Sequence, residues 1–345
     1  AVLCPPVQGA RVVSARTLAG TAGTTTRRTL HLVYNQAGAV AALPQRLFVK
    51  STSSIAQRVM LGLGGLIQGE PRFYGTVRPR LEIEAPASYF GAVDQRSWRS
   101  VLLLEDVVYS RGASFWDPET RITRAQIEDL LRMTAGWHGR LWDSPLLSSW
   151  TWLRSPGDQL RVIDGLLGLA DRTPAGTERA RAVLPPSLAS RRHDLHEAMR
   201  RSLTAASQGP MTYLHGDLHV ANTYLAADGS VGVCDWQCGL RGSWVHDFAY
   251  IVATALETED RRAWEWELLQ FYLEHLAAAG GGTLSPEAAW LAYRGALFYP
   301  YFAWIYTLGR SRIQPAFQPD GVSLTLIGRI AAAIDDLGGL AAVGL

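Results

Sequence analysis

Lysine is nearly missing from this chain: Lys50 stands alone among 33 basic residues. Basic surface must therefore be arginine, and an ammonium kept where every other cation is a guanidinium suggests a position that needs a compact point charge. Cysteine is scarce too. Three cysteines cannot build a disulfide framework or a four-ligand zinc site, and Cys234 and Cys238 have no second pair. A reducing cytoplasm is the expected compartment, with both thiols buried as small apolar groups. Neither sign of charge is in excess: 33 basic and 31 acidic residues leave +2, no field to collect nucleic acid or an anionic membrane surface. Long apolar runs are absent as well. The 15-residue stretch "GALFYPYFAWIYTLG", 295–309, contains Pro300 and is too short to span a bilayer, so a buried aromatic helix is expected. The opening "AVLCPPVQGARVV" has no basic start leading into an apolar run, and no secretory signal is expected.

What is present reads as an α+β protein. With 345 residues, 48% hydrophobic and 19% charged, most of the chain should pack, and the length exceeds what one core usually fills. Two lobes with a cleft are expected. Residues 1–108 read as a small antiparallel sheet with one or two helices. "RVVSARTLAG" and "TLHLVY" flank the flexible-looking "GTAGTTT", "QRLFVKS" ends at Lys50, and "LEIEAPASYF" and "SVLLLEDVV" supply two more strands. Ser54 and Gln57 form a capping box opening a helix that carries Ile55, Val59, Leu63, Leu66 and Ile67 on one face and ends at Gly69. A second short helix starts at Glu70-Pro71. Residues 109–345 read as the larger, mainly helical lobe. Thr123 and Gln126 form another capping box, and one helix is expected over about 187–206.

One stretch interrupts the helices. "MTYLHGDLHVANTYLAADGSVGVCDW" reads as two short strands around an Asp228-Gly229 turn. Asp217 and Asn222 precede the first strand and Asp235 follows the second, so the hairpin is expected to gather two carboxylates and an amide oxygen. These are the hard oxygen ligands that Mg²⁺ takes alongside water and phosphate, and a carboxylate with a free lone pair can accept a proton from a hydroxyl.

"HGDLHVAN" followed by "VCDWQ" resembles the catalytic and metal-binding loops of the aminoglycoside phosphotransferase and choline kinase superfamily, whose fold is similar to that of protein kinases. "GEPRFYGTVRP", "VLLLEDV" and "GWHGRLW" are most similar to its ecdysteroid-kinase-like (CHK-like) branch. The resemblance implies a two-lobe phosphotransferase using ATP and Mg²⁺ on the hydroxyl of a small molecule. It implies that His215 braces the loop, that Asp217 orients and deprotonates the acceptor, and that Asn222 and Asp235 hold Mg²⁺. Lys50 would contact the α- and β-phosphates, steadied by Glu70. The loop with Gly20, Thr21, Gly23 and Thr24 would cover the phosphates, the chain near Glu105 and Val107 would hold adenine, and Asp247 would support the catalytic loop.

Other readings compete. The 11 residues between Asp235 and Asp247 are too few for a peptide-docking activation segment, which disfavours a protein kinase. An antibiotic kinase and a nucleotide-binding pseudokinase scaffold are the alternatives. His138 is expected as a hydrogen-bonded core residue, and His219 and His246 as loop bracing. "ETEDRRAWEWE" is expected as a solvated helix face. The aromatic cluster Tyr293, Phe298, Tyr299, Tyr301, Phe302, Trp304 and Tyr306 reads first as core, with an acceptor pocket as the alternative. No nucleic-acid or membrane partner is expected, and the oligomeric state is open.

Overall fold

The computed structural model describes residues 7–310 and 318–345. The alternating and β-branched segments form a five-stranded antiparallel sheet: β1 (Val12–Ala22), β2 (Thr26–Tyr34), β3 (Arg46–Ser51), β4 (Ser88–Asp94) and β5 (Arg99–Glu105), in the order β1-β2-β3-β5-β4. The remaining described strands are short: β6 (Ser114–Phe115), β7 (Thr212–Leu214), β8 (Thr223–Leu225), β9 (Val231–Val233) and β10 (Leu240–Gly242). Strands β6, β8 and β9 make one small sheet, β7 and β10 another.

Described residues up to Phe115 form one compact unit together with Tyr224–Cys238. Its sheet buries Leu32, Tyr34, Leu47 and Val49 as a cluster. The Ser54–Gln57 capping box opens the helix Ile55–Leu63. That helix does not reach Gly69. Gly65 adopts φ +73°, a left-handed conformation that glycine takes without steric cost, so the backbone leaves the helix after Leu63. The predicted inward face also turns out: Ile55, Val59 and Leu63 are 71%, 42% and 48% exposed, while Gln57 and Leu61 face inward. Gly69 instead begins the next helix, Gly69–Arg72. A Cβ there would sit 2.1 Å from the Gln237 carbonyl oxygen, so the residue before Glu70 must be glycine for backbone to meet backbone. The helix widens into a π-turn over Phe73–Val77 and closes as a 3₁₀ turn over Arg78–Arg80. Of the predicted strand "LEIEAPASYF" only the part from Ser88 pairs; 81–87 is irregular, with Leu81, Ile83 and Ala85 buried.

The other unit is helical, running from Trp116 to Thr223 and on from Gly239. Thr123 and Gln126 cap the helix Arg124–Arg140, as expected. The helix expected over 187–206 is two, Pro186–Ser190 and Leu195–Ala206. Val245–Ala255 is buried along its whole length, at the centre of this unit. The aromatic run supplies Phe298–Leu308, in which Phe298, Tyr301, Phe302, Trp304 and Ile305 are buried. Core packing therefore accounts for most of that cluster, while Tyr299 and Tyr306 are half-buried. The run "ETEDRRAWEWE" is not wholly solvated. Within Thr258–Ala278, Arg261 is 1% exposed and grips Glu265 at 2.7 Å, and Tyr293 donates to the same carboxylate at 2.9 Å. Satisfying every oxygen this way is what permits a buried ion pair.

Candidate active site

Lys50 is the penultimate residue of β3, where the register sets it opposite Arg27 on β2 and Leu102 on β5. Its side chain is only 6% exposed, and its Nζ lies 2.5 Å from Glu70 Oε2 and 2.8 Å from Asp235 Oδ1. The lone lysine thus bridges two carboxylates more than twenty residues apart in sequence. Burial alone would lower its pKa, but Asp235 and Glu70 outweigh that and hold the ammonium above its ordinary range. Glu70 is pushed up by burial, against the lowering effect of Lys50. Asp235 follows β9 with φ +62°. A non-glycine residue in that region costs about 1 kcal/mol, and here a neighbouring anchor holds the turn: Trp236 stacks on Phe73 with centroids 3.9 Å apart and planes 3° from parallel. The Cys234 thiol is pushed up to about 12 by burial, with Asp235 adding to the effect, so it is inert as a thiolate at neutral pH.

The turn between β1 and β2 is tied, not loose. Gly20 and Thr21 pair with Arg28 and Arg27 inside the β1–β2 ladder. The Gly23 N–H donates to Thr25 O at 2.9 Å, and Gln57 Nε2 donates to Gly23 O at 2.9 Å. Gln57, read from sequence only as a cap, is therefore also the anchor of this turn, whose tip is Thr24. At the end of β5 the Glu105 N–H donates to Ala87 O at 2.8 Å. Burial would raise the Glu105 carboxyl, but hydrogen bonds from Arg111, Ala87 and Ser110 hold it at about 2. Val107 opens the helix Val107–Arg111 behind the Asp106 cap, so its N–H is one of the first-turn donors without an intrahelical carbonyl.

In the helical unit a second cluster is built around Asp247. This buried carboxylate accepts from the His215 N–H at 2.7 Å and the Gly216 N–H at 3.0 Å, with His138 Nε2 3.2 Å away. His138 Nδ1 in turn meets the Tyr272 hydroxyl at 2.6 Å, which makes it the hydrogen-bonded core histidine expected. Burial alone would raise Asp247; His138, His246 and His215 hold it below its ordinary value. His215 Nδ1 accepts from the Asp217 N–H at 3.2 Å, and Asn222 Nδ2 donates to Asp217 O at 2.8 Å. With its nitrogen committed, the amide oxygen of Asn222 is the atom suited to a cation. The Asp217 side chain accepts at Oδ1 from the Tyr250 hydroxyl, 3.0 Å, and its Oδ2 lies 3.8 Å from His219 Nε2. His219 Nδ1 accepts from Ala221 N–H, which leaves the proton on the nitrogen facing Asp217.

The expected residues therefore fall into two local sets: Lys50, Glu70 and Asp235 in the first unit, and His215, Asp217 and Asn222 in the second. Sequence reasoning missed Tyr250 and Arg27, and named Tyr299 only within the aromatic cluster. Tyr250 lies three residues after Asp247 on the same helix face, a signal that was available. Tyr299, whose hydroxyl donates to Gly216 O at 2.9 Å, was hidden among aromatic neighbours that pack. We expect Tyr250→Phe to lower turnover by about tenfold, the loss of one hydrogen bond to a charged group, with nucleotide affinity unchanged; steady-state kinetics beside calorimetric binding separates the two.

His246, next to Asp247, is buried, and burial pushes its imidazole down to about 4, only partly offset by Asp247. The unfolded chain takes up this proton near the ordinary value of 6.5 while the folded chain refuses it until about 4. The unfolded state thus binds more protons across that window, and stability falls as pH drops through it. Denaturant unfolding at pH 7.5 and 4.5 should show a loss of about 3 kcal/mol from this group, and His246→Phe should flatten the difference by a comparable amount.

Of the residues expected to hold Mg²⁺, Asn222 belongs to the helical unit and Asp235 to the first unit. Among the described residues no group of three or more His, Cys, Asp or Glu could hold a metal. Asp235 fits: both of its oxygens already carry a cation, Lys50 on Oδ1 and Arg27 on Oδ2.

None of the curated proteins matches the chain. Solved structures do. A microcompartment-associated aminopropanol kinase superposes with a TM-score of 0.57 at 13% identity, over 94% of this chain and 92% of its own. A choline kinase from Streptococcus pneumoniae superposes at 0.51 with 10% identity over 94% of each chain. APH(2")-IIia in its GDP and kanamycin complex reaches 0.50 with 12% identity over 97% and 95%. At such identities the likeness is one of fold, an antiparallel-sheet lobe and a helical lobe of protein-kinase type. The sequence also matches the phosphotransferase enzyme family (APH) over residues 67–295, well over half of its length, so the chain belongs to that family and is a phosphotransferase enzyme.

Proposed function

We propose that this chain transfers the terminal phosphoryl group of ATP, assisted by Mg²⁺, to a hydroxyl of a small molecule. The observation that supports it most is the buried lysine held between Glu70 and Asp235, an arrangement with little structural value of its own. A buried ion pair rarely outperforms apolar packing of the same volume, whereas a fixed ammonium beside a metal-ready carboxylate is what triphosphate binding needs. In this reading residues 1–108 bind the nucleotide and 109–345 bind the acceptor. Lys50 contacts phosphate; Asn222 and Asp235 hold Mg²⁺, which when bound neutralises phosphate charge. Asp217 orients the acceptor hydroxyl and takes its proton, held at Oδ1 by Tyr250. The turn with Gly20, Thr21, Gly23 and Thr24 lies over the phosphates, and backbone at Glu105 and Val107 meets adenine, with Val107 the better donor because the Glu105 N–H is already engaged.

Rings stand beside Asp217: Tyr250 bonds to it, and Trp304 lies edge-on to His219 with centroids 5.2 Å apart. An aromatic wall suits an apolar or singly cationic alcohol better than a polycationic antibiotic. The stretches "GEPRFYGTVRP" and "GWHGRLW" favour the ecdysteroid-kinase-like branch within the superfamily, and the scarcity of cysteine favours the cytoplasm. The test is ATP turnover with Mg²⁺ across sugars, sterols, amino alcohols and aminoglycosides, comparing wild type with Asp217→Ala. Phosphorylation of one class, lost in the variant, is expected. Nucleotide binding with no acceptor phosphorylated would support a scaffold instead.

A further inference from the structure

Arg27 is the residue that neither the sequence nor this assignment of roles accounts for. It lies directly across from Lys50 in the β2–β3 ladder, so two cations project from neighbouring positions on one face. Like charges directly opposite are destabilising unless an anion lies between them. That anion is Asp235: Lys50 Nζ takes Oδ1 at 2.8 Å and Arg27 takes Oδ2 at 3.2 Å. The two cations are not equally held. Lys50 is buried and has a second carboxylate in Glu70, while the Arg27 side chain is 42% exposed and Asp235 supplies its one ion pair among the described residues.

A divalent cation that binds Asp235 needs an oxygen now occupied, and a guanidinium touching that oxygen would repel it. Releasing one of the two cations relieves that repulsion. Lys50 cannot do so without stranding Glu70 in the interior; Arg27 can turn into solvent at little cost. Once turned, its planar fork has the geometry that binds phosphate oxygens in pairs.

On the proposed function above, we propose that Arg27 is an exchangeable counter-ion of Asp235: it neutralises the carboxylate when no divalent cation is present, yields that oxygen to the metal, and then serves the nucleotide phosphates. The same residue therefore weakens metal binding and, by cancelling the Asp235 charge that would repel phosphate, strengthens metal-free nucleotide binding, two effects of opposite sign that a merely structural arginine would not produce together.

Two binding measurements on the full chain test this, using Mn²⁺ and ADP as probes. Mn²⁺ affinity in the presence of ADP is read by electron paramagnetic resonance of free Mn²⁺, and ADP affinity in EDTA is read by calorimetry. In Arg27→Gln, Mn²⁺ should bind several-fold more tightly, and ADP in EDTA should bind about tenfold more weakly, because the Asp235 charge beside the phosphates is left with one cation fewer. Arg27→Lys, which keeps the charge without the fork, should leave Mn²⁺ affinity near wild type and recover part of the ADP affinity. Circular dichroism confirms that both variants fold. If either affinity in Arg27→Gln stays within twofold of wild type, the exchange is overturned while the kinase assignment stands. If wild type itself binds neither Mn²⁺ with ADP nor ADP alone, the assignment fails first.

Discussion

Asp217→Ala is expected to lower turnover by about 10²- to 10⁴-fold, the range for losing a general base, while ADP binds with near wild-type affinity. The surroundings of Asp217 make this a clean experiment. The loop that carries it is fixed by main-chain donors, His215 and Gly216 to Asp247, and by Asn222 to the Asp217 carbonyl. None of these uses the Asp217 carboxylate, so its removal should leave the loop in place. What is lost is the acceptor for the Tyr250 hydroxyl and the oxygen that lies 3.8 Å from His219. Asp217→Asn sharpens the reading, because the amide oxygen can still accept from Tyr250 but has little capacity to take a proton. Turnover in the asparagine variant should fall nearly as far as in the alanine variant, measured by steady-state kinetics with the acceptor found in the panel. Wild-type turnover in Asp217→Asn would show that the carboxylate positions the hydroxyl without accepting its proton.

The local chemistry of this chain was readable where residues adjacent in sequence act together, and obscure where partners are distant. Both capping boxes form as their spacing requires, and the Asp228-Gly229 turn joins β8 to β9 with Gly229 at φ +89°. His215, Asp217 and Asn222 are coupled through bonds spanning two to five residues. Arg27 to Asp235 spans 208 residues, and no local pattern distinguishes Arg27 from its neighbour Arg28. The apolar face of Ile55–Leu63 misled for a related reason. Periodicity states that one side is apolar, but which side is covered depends on Gln57 turning inward to hold Gly23, a polar contact that hydrophobic pattern does not register. Glu265 was misread likewise, since an acidic run gives no hint that Arg261 and Tyr293 will satisfy one of its members in the interior.

Lys50→Met should remove turnover and also destabilise the fold by about 3–5 kcal/mol, the scale for deleting one partner of a buried ion pair. The two effects have different origins, and a second substitution separates them. Without Lys50, Asp235 keeps Arg27, but Glu70 is left 4% exposed with no ion pair among the described residues. The loss of stability should therefore come chiefly from an uncompensated carboxylate at position 70. Because burial already favours its neutral form, Glu70 should answer by holding a proton in the folded state that the unfolded chain releases. In Lys50→Met the folded state then binds more protons than the unfolded, so the deficit relative to wild type should shrink as pH falls toward the ordinary carboxylate range. Replacing the carboxylate as well, in Lys50→Met with Glu70→Leu, should restore most of the stability at pH 7.5, since an apolar pair of similar volume packs without desolvating charge. It should restore no turnover, because the ammonium proposed to contact phosphate is still missing. Denaturant unfolding of the single and double variants at pH 7.5 and 5.5, beside their turnover, decides the matter. A single variant as stable as wild type would mean that Glu70 finds relief elsewhere and that the lysine is held for chemistry alone.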